Sequence, residues 1–425
     1  MKKILGTIFA LAVSLTAAAQ TGPWSGKLDV YGTPLTLVFH LDDEGCAVDS
    51  PDQGAKGIPA TLTRTLVGVK VTVPSLNASF EGVLFNGEIV GTFSQNGLSL
   101  PLTLKPGEPV RNRPQTPVGP FPYATEEVSF SNGDAVLRGT LTLPEGWTRA
   151  TPVLLMVTGS GLQNRDEEIF EHKPFAVIAD ALARQGFATL RYDDRGFGES
   201  TGDLVLVTTE DFKNDALAGI TLLRERFNRV GVLGHSEGGA IALMLAAEGK
   251  TDFVVSLAGY FVTGKHIMLQ QNRWALERAG YSAEVTDSFC DALSRLYDDA
   301  LAGRTPKLDV SSLPPALQQS LQAGWAQCST PYMRHFLALD PSERLGSVRC
   351  PVLALNGELD RQVDCAENLG ILQEGLPGSK EIHALPGLNH LFQHCTTGDS
   401  SEYKDIEETF APEALDLILA WLKRL

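Results

Sequence analysis

The pattern of apolar and polar positions changes twice along the chain. From residue 21 to about 108, apolar residues occur in short runs such as Leu35–Phe39 and Val69–Val73, and glycines follow at turn-like intervals. Short runs of this kind between glycines are typical of β-strands, and no helical period is visible. We therefore predict a small all-β domain over residues 20–108, an antiparallel barrel or sandwich. Prolines recur in residues 109–123, which predicts a linker.

Residues 124–425 have the pattern of an α/β domain. Ala135–Leu141 alternates like an antiparallel edge strand, and Pro152–Val157 is a continuous apolar run, as in a strand buried on both faces. Further strands are predicted at Phe187–Tyr192, Val230–Leu233, Phe253–Leu257, Val352–Leu355 and Lys380–Ala384. Helices are predicted at Phe175–Arg184, Thr209–Arg226, Gly239–Ala247 and Pro412–Leu425. This alternation predicts a mostly parallel sheet with helices on both faces.

A helical insertion interrupts the alternation after the sixth strand. Between about residues 259 and 347 the sequence predicts helices at Trp274–Ala279, Val285–Leu301 and Leu317–Ala326, but no strand. An insertion of this size at that point favours a helical cap over the functional site. A separate helical bundle that docks elsewhere is the alternative.

The chemistry is concentrated at one turn. Gly234-His235-Ser236-Glu237-Gly238 directly follows the strand Val230–Leu233 and directly precedes a predicted helix. This Gly-x-Ser-x-Gly motif in a strand–turn–helix setting predicts a nucleophilic serine on a strained turn, where glycines avoid collisions. A structural turn with an incidental serine is the alternative. We predict that Ser236 is the nucleophile of a serine hydrolase.

A serine hydroxyl needs a base, and the base needs a carboxylate to orient it. In this architecture the chain order is serine, acid, histidine. Asp360 follows the strand Val352–Leu355 across a short turn, and His390 ends the loop after the last strand. We favour these two residues. The rivals are Asp364 and Glu358 for the acid, and His383 and His394 for the base, while His235 is expected to brace the turn.

The negative charge on the reacting carbonyl oxygen needs two backbone donors. One is expected from the N–H of Glu237, the residue after the nucleophile. The second is expected from the glycine-containing loop after the strand Pro152–Val157, where Ser160, Gly161 and Leu162 are equal candidates.

These motifs together resemble those of bacterial α/β-hydrolase-fold serine esterases, and most of all the exported type with an amino-terminal β domain. The matching segments are Gly159–Glu167, Asp194–Ser200, Gly234–Gly239, Asn356–Val363 and His390. The resemblance implies an α/β-hydrolase fold over residues 124–425 and hydrolysis of carboxylic esters with short to medium acyl groups. It also implies that no cofactor is used. The loop at Gly159 lacks the His-Gly-Gly-Gly form of the hormone-sensitive-lipase group.

Net charge and cysteine content indicate which partners and metal sites the protein is not expected to have. The net charge of −16 repels phosphate backbones, so nucleic acid is not expected as a partner. The six cysteines have no Cys-x-x-Cys spacing, so no metal site is predicted. In an exported chain we would test Cys365 and Cys395 first for a disulfide, because the acid loop and the histidine loop converge.

The first nineteen residues have the pattern of a secretory signal peptide. A basic start at Lys2 and Lys3 precedes an apolar stretch, and Ala17–Ala19 supplies small residues before Gln20. We expect export to the periplasm or the medium, with no membrane span in the mature protein.

Alternative functions stay open from the sequence alone. A peptidase or a thioesterase could use the same three residues. In a different class, the β domain could bind glycans through a face formed by Trp24, Tyr31, Phe39, Phe80, Phe85 and Phe93, although such aromatic residues are more often core. The β domain could also mediate a homodimer.

Overall fold

The computed structural model describes residues 21–425 except 31–32, 43–44, 54, 66, 109–110 and 307–309. The predicted signal peptide lies outside the described residues. The chain divides into two compact units, one ending at Arg111 and the other beginning at Asn112.

The first unit is a single nine-stranded sheet in which every neighbouring pair is antiparallel. Its strands are β1 (Pro23–Val30), β2 (Thr33–His40), β3 (Ala47–Ser50), β4 (Ala55–Pro59), β5 (Thr61–Arg64), β6 (Gly68–Val73), β7 (Ala78–Phe85), β8 (Glu88–Gln95) and β9 (Leu98–Pro106). The strand order is β4-β3-β2-β1-β9-β8-β7-β6-β5. In β6, Val69, Val71 and Val73 are buried whereas Lys70 is exposed, which is the alternation that a sheet with one core-facing side requires.

The aromatic residues of this unit are mostly core. The buried ones are Trp24, Phe39, Phe80 and Phe93, whereas Phe85 is 64% exposed and Tyr31 lies outside the described residues. Because a stacking face needs several exposed rings, this burial removes most of the face on which a glycan-binding role would depend.

The second unit contains an eight-stranded sheet in the order β10-β11-β13-β12-β14-β15-β16-β17. Its strands are β10 (Ala124–Asn132), β11 (Ala135–Leu143), β12 (Val153–Val157), β13 (Ala188–Tyr192), β14 (Val230–His235), β15 (Val254–Leu257), β16 (Val352–Gly357) and β17 (Lys380–Leu385). The pairs that involve β10 and β11 are antiparallel and the other pairs are parallel.

Helices cover both faces of this sheet. They are α1 (Pro174–Arg184), α2 (Thr209–Arg224), α3 (Glu237–Ala247), α4 (Gly264–Arg278), α5 (Ala283–Leu301), α6 (Pro315–Cys328), α7 (Pro331–Ala338), α8 (Cys365–Gly375) and α9 (Pro412–Leu422). Alternate residues of β12 serve the two faces: Val153, Leu155 and Val157 pack in one core with α2 and α3, and Leu154 and Met156 pack in the other with α1 and α9. The continuous apolar run of β12 therefore reflects burial on both faces.

Three details differ from the sequence prediction. The prediction of Ala135–Leu141 as an edge strand was wrong, because β11 pairs on both sides and β10 is the edge. The charged Glu126 and Glu127 of β10 hide its alternation. Helix α4 begins at Gly264, ten residues before the predicted start, because the polar run Gln270–Arg273 separates its apolar residues Ile267–Leu269 from Trp274. Helix α7 was missed because eight residues are too short for a periodic signal.

The segment predicted as a linker is bound to the second unit from Asn112 onward. The guanidinium of Arg113 donates hydrogen bonds to the backbone carbonyls of Phe170, Lys404 and Ile406. The side chain of Gln115 donates to the carbonyl of Phe410 and accepts from its N–H. These contacts give this part of the stretch a defined position despite its prolines.

Leu155→Ala should lower the free energy of unfolding of the second unit by about 2–5 kcal/mol, because Leu155 is fully buried and its truncation leaves a cavity. The matched control Leu206→Ala alters a side chain that is 75% exposed and should change this free energy by less than about 0.5 kcal/mol. Urea unfolding followed by circular dichroism measures both. Equal losses in the two variants would contradict the core position of Leu155.

Candidate active site

The turn at Ser236 is held by close backbone contacts. Strand β14 ends at His235 and α3 begins at Glu237, two residues earlier than predicted, so that Ser236 has φ 53°. A Cβ atom added at Gly234 would lie 2.0 Å from the carbonyl oxygen of Gly238, and one added at Gly238 would lie 2.1 Å from that of Val157. Only glycine fits at either position, which explains the spacing of the motif around Ser236.

An acid and a histidine are paired at the ends of two parallel strands. Nδ1 of His390 lies 2.7 Å from Oδ2 of Asp360, and both side chains are buried. The other oxygen of Asp360 accepts the backbone N–H groups of Gln362 and Val363, at 2.7 and 2.9 Å. The carboxylate is therefore fixed on both sides, which also fixes the orientation of the imidazole ring.

The rival residues have other contacts. Asp364 caps α8 by accepting the N–H of Glu367, and Glu358 is exposed. His383 lies inside β17, and the exposed His394 is paired with Glu408. Among these acids and histidines, the buried pair is Asp360 and His390.

The candidate oxyanion donors lie on two sides of Ser236. The N–H of Glu237 is in the first turn of α3, where helix geometry leaves N–H groups without an intrahelical acceptor. Ser160 and Gly161 line the same cavity as Ser236, and Gly161 has φ 92°, which favours glycine. Leu162 does not line this cavity, and its side chain is 37% exposed.

The cavity at Ser236 has a volume of about 390 Å³ and also contains His390. Its apolar lining comes largely from the helical insertion, through Ile267, Met268, Met333 and Phe336. Pockets of this size with an apolar lining and a few polar groups are typical of small-molecule sites.

Sequence reasoning missed the role of the Glu237 side chain. This buried carboxylate accepts hydrogen bonds from Tyr332 Oη at 2.6 Å and from Thr209 Oγ1 at 2.7 Å. Burial, and then the charge of Glu237, raise the pKa of Tyr332, while a hydrogen bond with the side chain of Ser160 lowers it. Tyr332 thus contacts both sides of the candidate oxyanion site. Tyr332 is 95 residues from Glu237 in sequence, so no local pattern signals the pair.

A second missed residue is Glu167. Its Oε1 accepts the N–H of Gly159 at 2.8 Å and lies 2.9 Å from Nδ1 of His235. Nε2 of His235 lies 2.9 Å from the backbone oxygen of His390. Burial alone would lower the pKa of His235, but the Glu167 carboxylate and these hydrogen bonds raise it above its ordinary value. His235 therefore braces the turn by connecting the loop at Gly159 to the loop at His390.

The side chain of Asp194 is hydrogen-bonded to the candidate donor loop. Its carboxyl accepts hydrogen bonds from Thr158 Oγ1 and from the N–H of Gln163. Burial raises the pKa of Asp194 to about 8; these hydrogen bonds oppose the rise, and the nearby Glu167 and Glu237 carboxylates add to it. Asp194 therefore ionises less readily than an exposed aspartate.

The cysteine hypothesis was wrong. Cys365 and Cys395 are both free thiols, and their Sγ atoms donate to different carbonyls, those of Asn356 and Gly387. The described residues include no group of three His, Cys, Asp or Glu side chains arranged to hold a metal ion. Their helices are also too short or too polar to cross a membrane.

Comparisons with known proteins agree with this geometry. Residues 171–394, just over half of the chain, match the sequence model of the family described as serine aminopeptidase, S33, and this region includes Ser236, Asp360 and His390. Esterase EstD of Thermotoga maritima is 33% identical over 173 residues, which are 40% of this chain and 42% of EstD. The chain thus matches less than half the length of that relative.

More distant similarity extends to solved structures. The Pyrococcus furiosus esterase Pf2001 is 15% identical, with a TM-score of 0.45, over 75% of this chain and 99% of that one. The proline iminopeptidase of Mycobacterium smegmatis is 18% identical, with a TM-score of 0.44, over 70% of this chain and 98% of that one.

The fold and the site define a serine hydrolase of the α/β-hydrolase fold. The chain belongs to the serine aminopeptidase S33 family of these hydrolases. The resemblance to α/β-hydrolase-fold serine esterases that the motifs suggested is confirmed.

Glu167→Gln should destabilise the protein more at pH 6 than at pH 9. The raised pKa of His235 means that its protonated form contributes stability fully below about pH 6.5, and that this contribution is lost as the pH rises through the folded-state pKa. The expected loss at pH 6 is about 1.5–3 kcal/mol, the value of a hydrogen bond to a charged group.

Urea unfolding at both pH values measures this difference. Glu168→Gln is the matched control, since the carboxylate of Glu168 contacts Asn164 and Lys173 instead of His235. A loss in Glu167→Gln that does not depend on pH would show that His235 is not protonated against Glu167.

Proposed function

We propose that the protein is a carboxylesterase that uses Ser236 as nucleophile, His390 as general base and Asp360 as the residue that orients His390. The observation that carries the proposal is the buried 2.7 Å contact between Nδ1 of His390 and Oδ2 of Asp360, with Ser236 in the same cavity. The EstD relative supports ester bonds as the target.

The reaction follows from these contacts. His390 takes the proton of Ser236 as Oγ attacks the ester carbonyl, and Asp360 stabilises the imidazolium that forms. The N–H of Glu237, with a second N–H from Ser160 or Gly161, stabilises the oxyanion. His390 then returns the proton to the leaving alcohol, and an acyl-enzyme remains on Ser236. Water attacks this intermediate by the same route and releases the acid.

The cavity supports short to medium acyl groups as substrates. Its volume of about 390 Å³ is at the lower end of the range for ligand pockets, and its lining at Ile267, Met268 and Met333 is apolar. An apolar acyl chain gains binding free energy when it leaves water for such a lining, whereas a long chain exceeds the space.

The contacts of the buried glutamates argue against an aminopeptidase activity. An aminopeptidase needs a carboxylate that is available for the α-amino group of its substrate. Glu167 lines this cavity, but its carboxylate is bonded to His235 and to Gly159. Glu237 does not line the cavity, and its carboxylate accepts hydrogen bonds from Tyr332 and Thr209. Thioester hydrolysis on the same residues is the second candidate, and turnover of an ester, a thioester and an aminoacyl anilide separates these activities.

We also propose that the insertion α4–α7 acts as a cap. Helices α4 and α7 supply lining residues of the cavity, and Tyr332 of α7 donates its hydrogen bond to Glu237 beside the nucleophile. Export, as the pattern of residues 1–19 predicts, is part of the same proposal.

Ser236→Ala should lower kcat on a chromogenic acetyl ester by about 10⁴-fold or more, because no nucleophile remains. Asp360→Asn should lower kcat by about 10⁴-fold, because the imidazole loses its orienting carboxylate. Stopped-flow or steady-state release of the chromophore measures both.

Asp364→Asn is the matched control, four residues from Asp360. It alters only the cap of α8, so it should cost about 1 kcal/mol of stability at most and keep near-wild-type kcat. A fully active Ser236→Ala protein, or equal losses in the two aspartate variants, would refute the assignment.

Tyr332→Phe should lower kcat about tenfold with little change in KM, because the buried Glu237 beside the oxyanion site loses a donor. Tyr297→Phe is the matched control: Tyr297 is buried in the same insertion but does not line the cavity. Equal kinetics for the two variants would contradict a positioning role for Tyr332.

A further inference from the structure

A second, polar groove adjoins the cavity of Ser236. Its volume is about 730 Å³, within the range of roughly 300–1,000 Å³ that is typical of ligand sites. The proposed ester hydrolysis does not by itself assign a role to it. Residues of α4 form one side, and residues from the loops that follow Asp360 and His390 form the other.

The groove and the cavity share part of their walls. Gln271 and Gln362 line both spaces, and Nε2 of Gln271 donates to the backbone oxygen of Gln362 at 3.0 Å. Nε2 of Gln362 in turn donates to Tyr403 Oη at 3.0 Å, and Tyr403 lines the cavity. One substrate molecule could therefore occupy both spaces.

Trp274 is the aromatic residue of the groove. Its indole is half-buried, and the guanidinium of Arg361 lies over the ring, 5.8 Å from the ring centroid. Arg361 makes no ion pair with any carboxylate in the described part of the chain. The groove thus contains an aromatic ring with a guanidinium above it, in addition to the amides of two glutamines.

Most of the other charged side chains of the groove already have partners within the protein. Arg278 is paired with Asp399, and the carboxylate of Glu402 accepts backbone N–H groups of Thr397 and Gly398. With Glu277 also in the lining, acidic and basic side chains are nearly balanced. Such a surface disfavours a multiply charged anion, and it favours a neutral molecule with both hydroxyl groups and an apolar face.

The position of the groove indicates which part of an ester it would receive. Arg361 and Gln362 directly follow Asp360, so the groove opens on the acid–histidine side of the site. In the proposed mechanism His390 gives its proton to the leaving alcohol, so the alcohol portion lies on this side. The apolar cavity would then receive the acyl group.

We propose that this groove binds the alcohol portion of the ester, and that this portion is a sugar ring stacked on Trp274. The apolar face of a sugar ring matches the indole, and its hydroxyl groups match the donors and acceptors of Gln271, Gln362 and Arg361. This inference rests on the proposed esterase activity and adds the substrate class: acyl esters of carbohydrates.

The experiment compares two acetyl esters, ethyl acetate and a methyl glucoside acetylated on its primary hydroxyl group. Acid release in a pH-stat gives kcat/KM for each. In Trp274→Ala the ratio of the sugar-ester value to the ethyl acetate value should fall about tenfold, mainly through KM, because one stacking contact is lost. Trp325→Ala, in the same insertion but outside both linings, should keep the wild-type ratio.

A direct binding measurement accompanies the kinetics. Ser236→Ala should bind the acetylated methyl glucoside, as followed by isothermal titration calorimetry, and the double variant with Trp274→Ala should bind it at least about tenfold more weakly. An unchanged ratio of the two kcat/KM values in Trp274→Ala would overturn the carbohydrate assignment, and so would unchanged binding of the sugar ester in the double variant. Turnover of ethyl acetate would in that case leave the esterase proposal intact. If Ser236→Ala still turned over both esters, the esterase proposal itself would be refuted.

Discussion

The close approach of three backbone segments around Ser236 is the constraint on which the site depends. The end of β12, the turn after β14 and the start of α3 meet so tightly that Gly234 and Gly238 have no room for a Cβ atom. This contact gives Ser236 its positive φ and brings the loop after β12 beside it: a Cβ atom added at Gly159 would lie 3.2 Å from the Cβ of Ser236. Ser236 and the candidate donor loop are therefore positioned by the central strands of the sheet.

Buried carboxyl groups surround this turn, and each is stabilised differently. Asp360 is held by two backbone N–H groups and by His390, and Glu167 is paired with His235. Glu237 accepts hydrogen bonds from two hydroxyl groups, and burial raises the pKa of Asp194. Because an unpaired buried charge is costly, these contacts constrain the loops that provide them. The chemistry and the stability of the site are thus coupled.

The sequence predicted those parts of the molecule that depend on local patterns. The strands β12 and β14 were recognisable from their apolar runs, and Asp360 and His390 could be chosen because a parallel sheet brings the ends of its strands together. Contacts between distant side chains had no local pattern: Tyr332 with Glu237, and Glu167 with His235, join segments far apart in the chain. The charged strand β10 was obscured because exposed residues dominate it. The start of α4 was obscured because the polar run Gln270–Arg273 interrupts its apolar positions.

The hydrogen bond from Tyr332 to Glu237 has a consequence for how such enzymes diversify. The insertion α4–α7 lines the cavity, and it also provides a hydrogen bond to a buried carboxylate next to Ser236. A replacement segment would have to bring its own donor, or be accompanied by a neutral residue at position 237. Without such a change, an exchanged segment would leave Glu237 with the hydrogen bond from Thr209 alone.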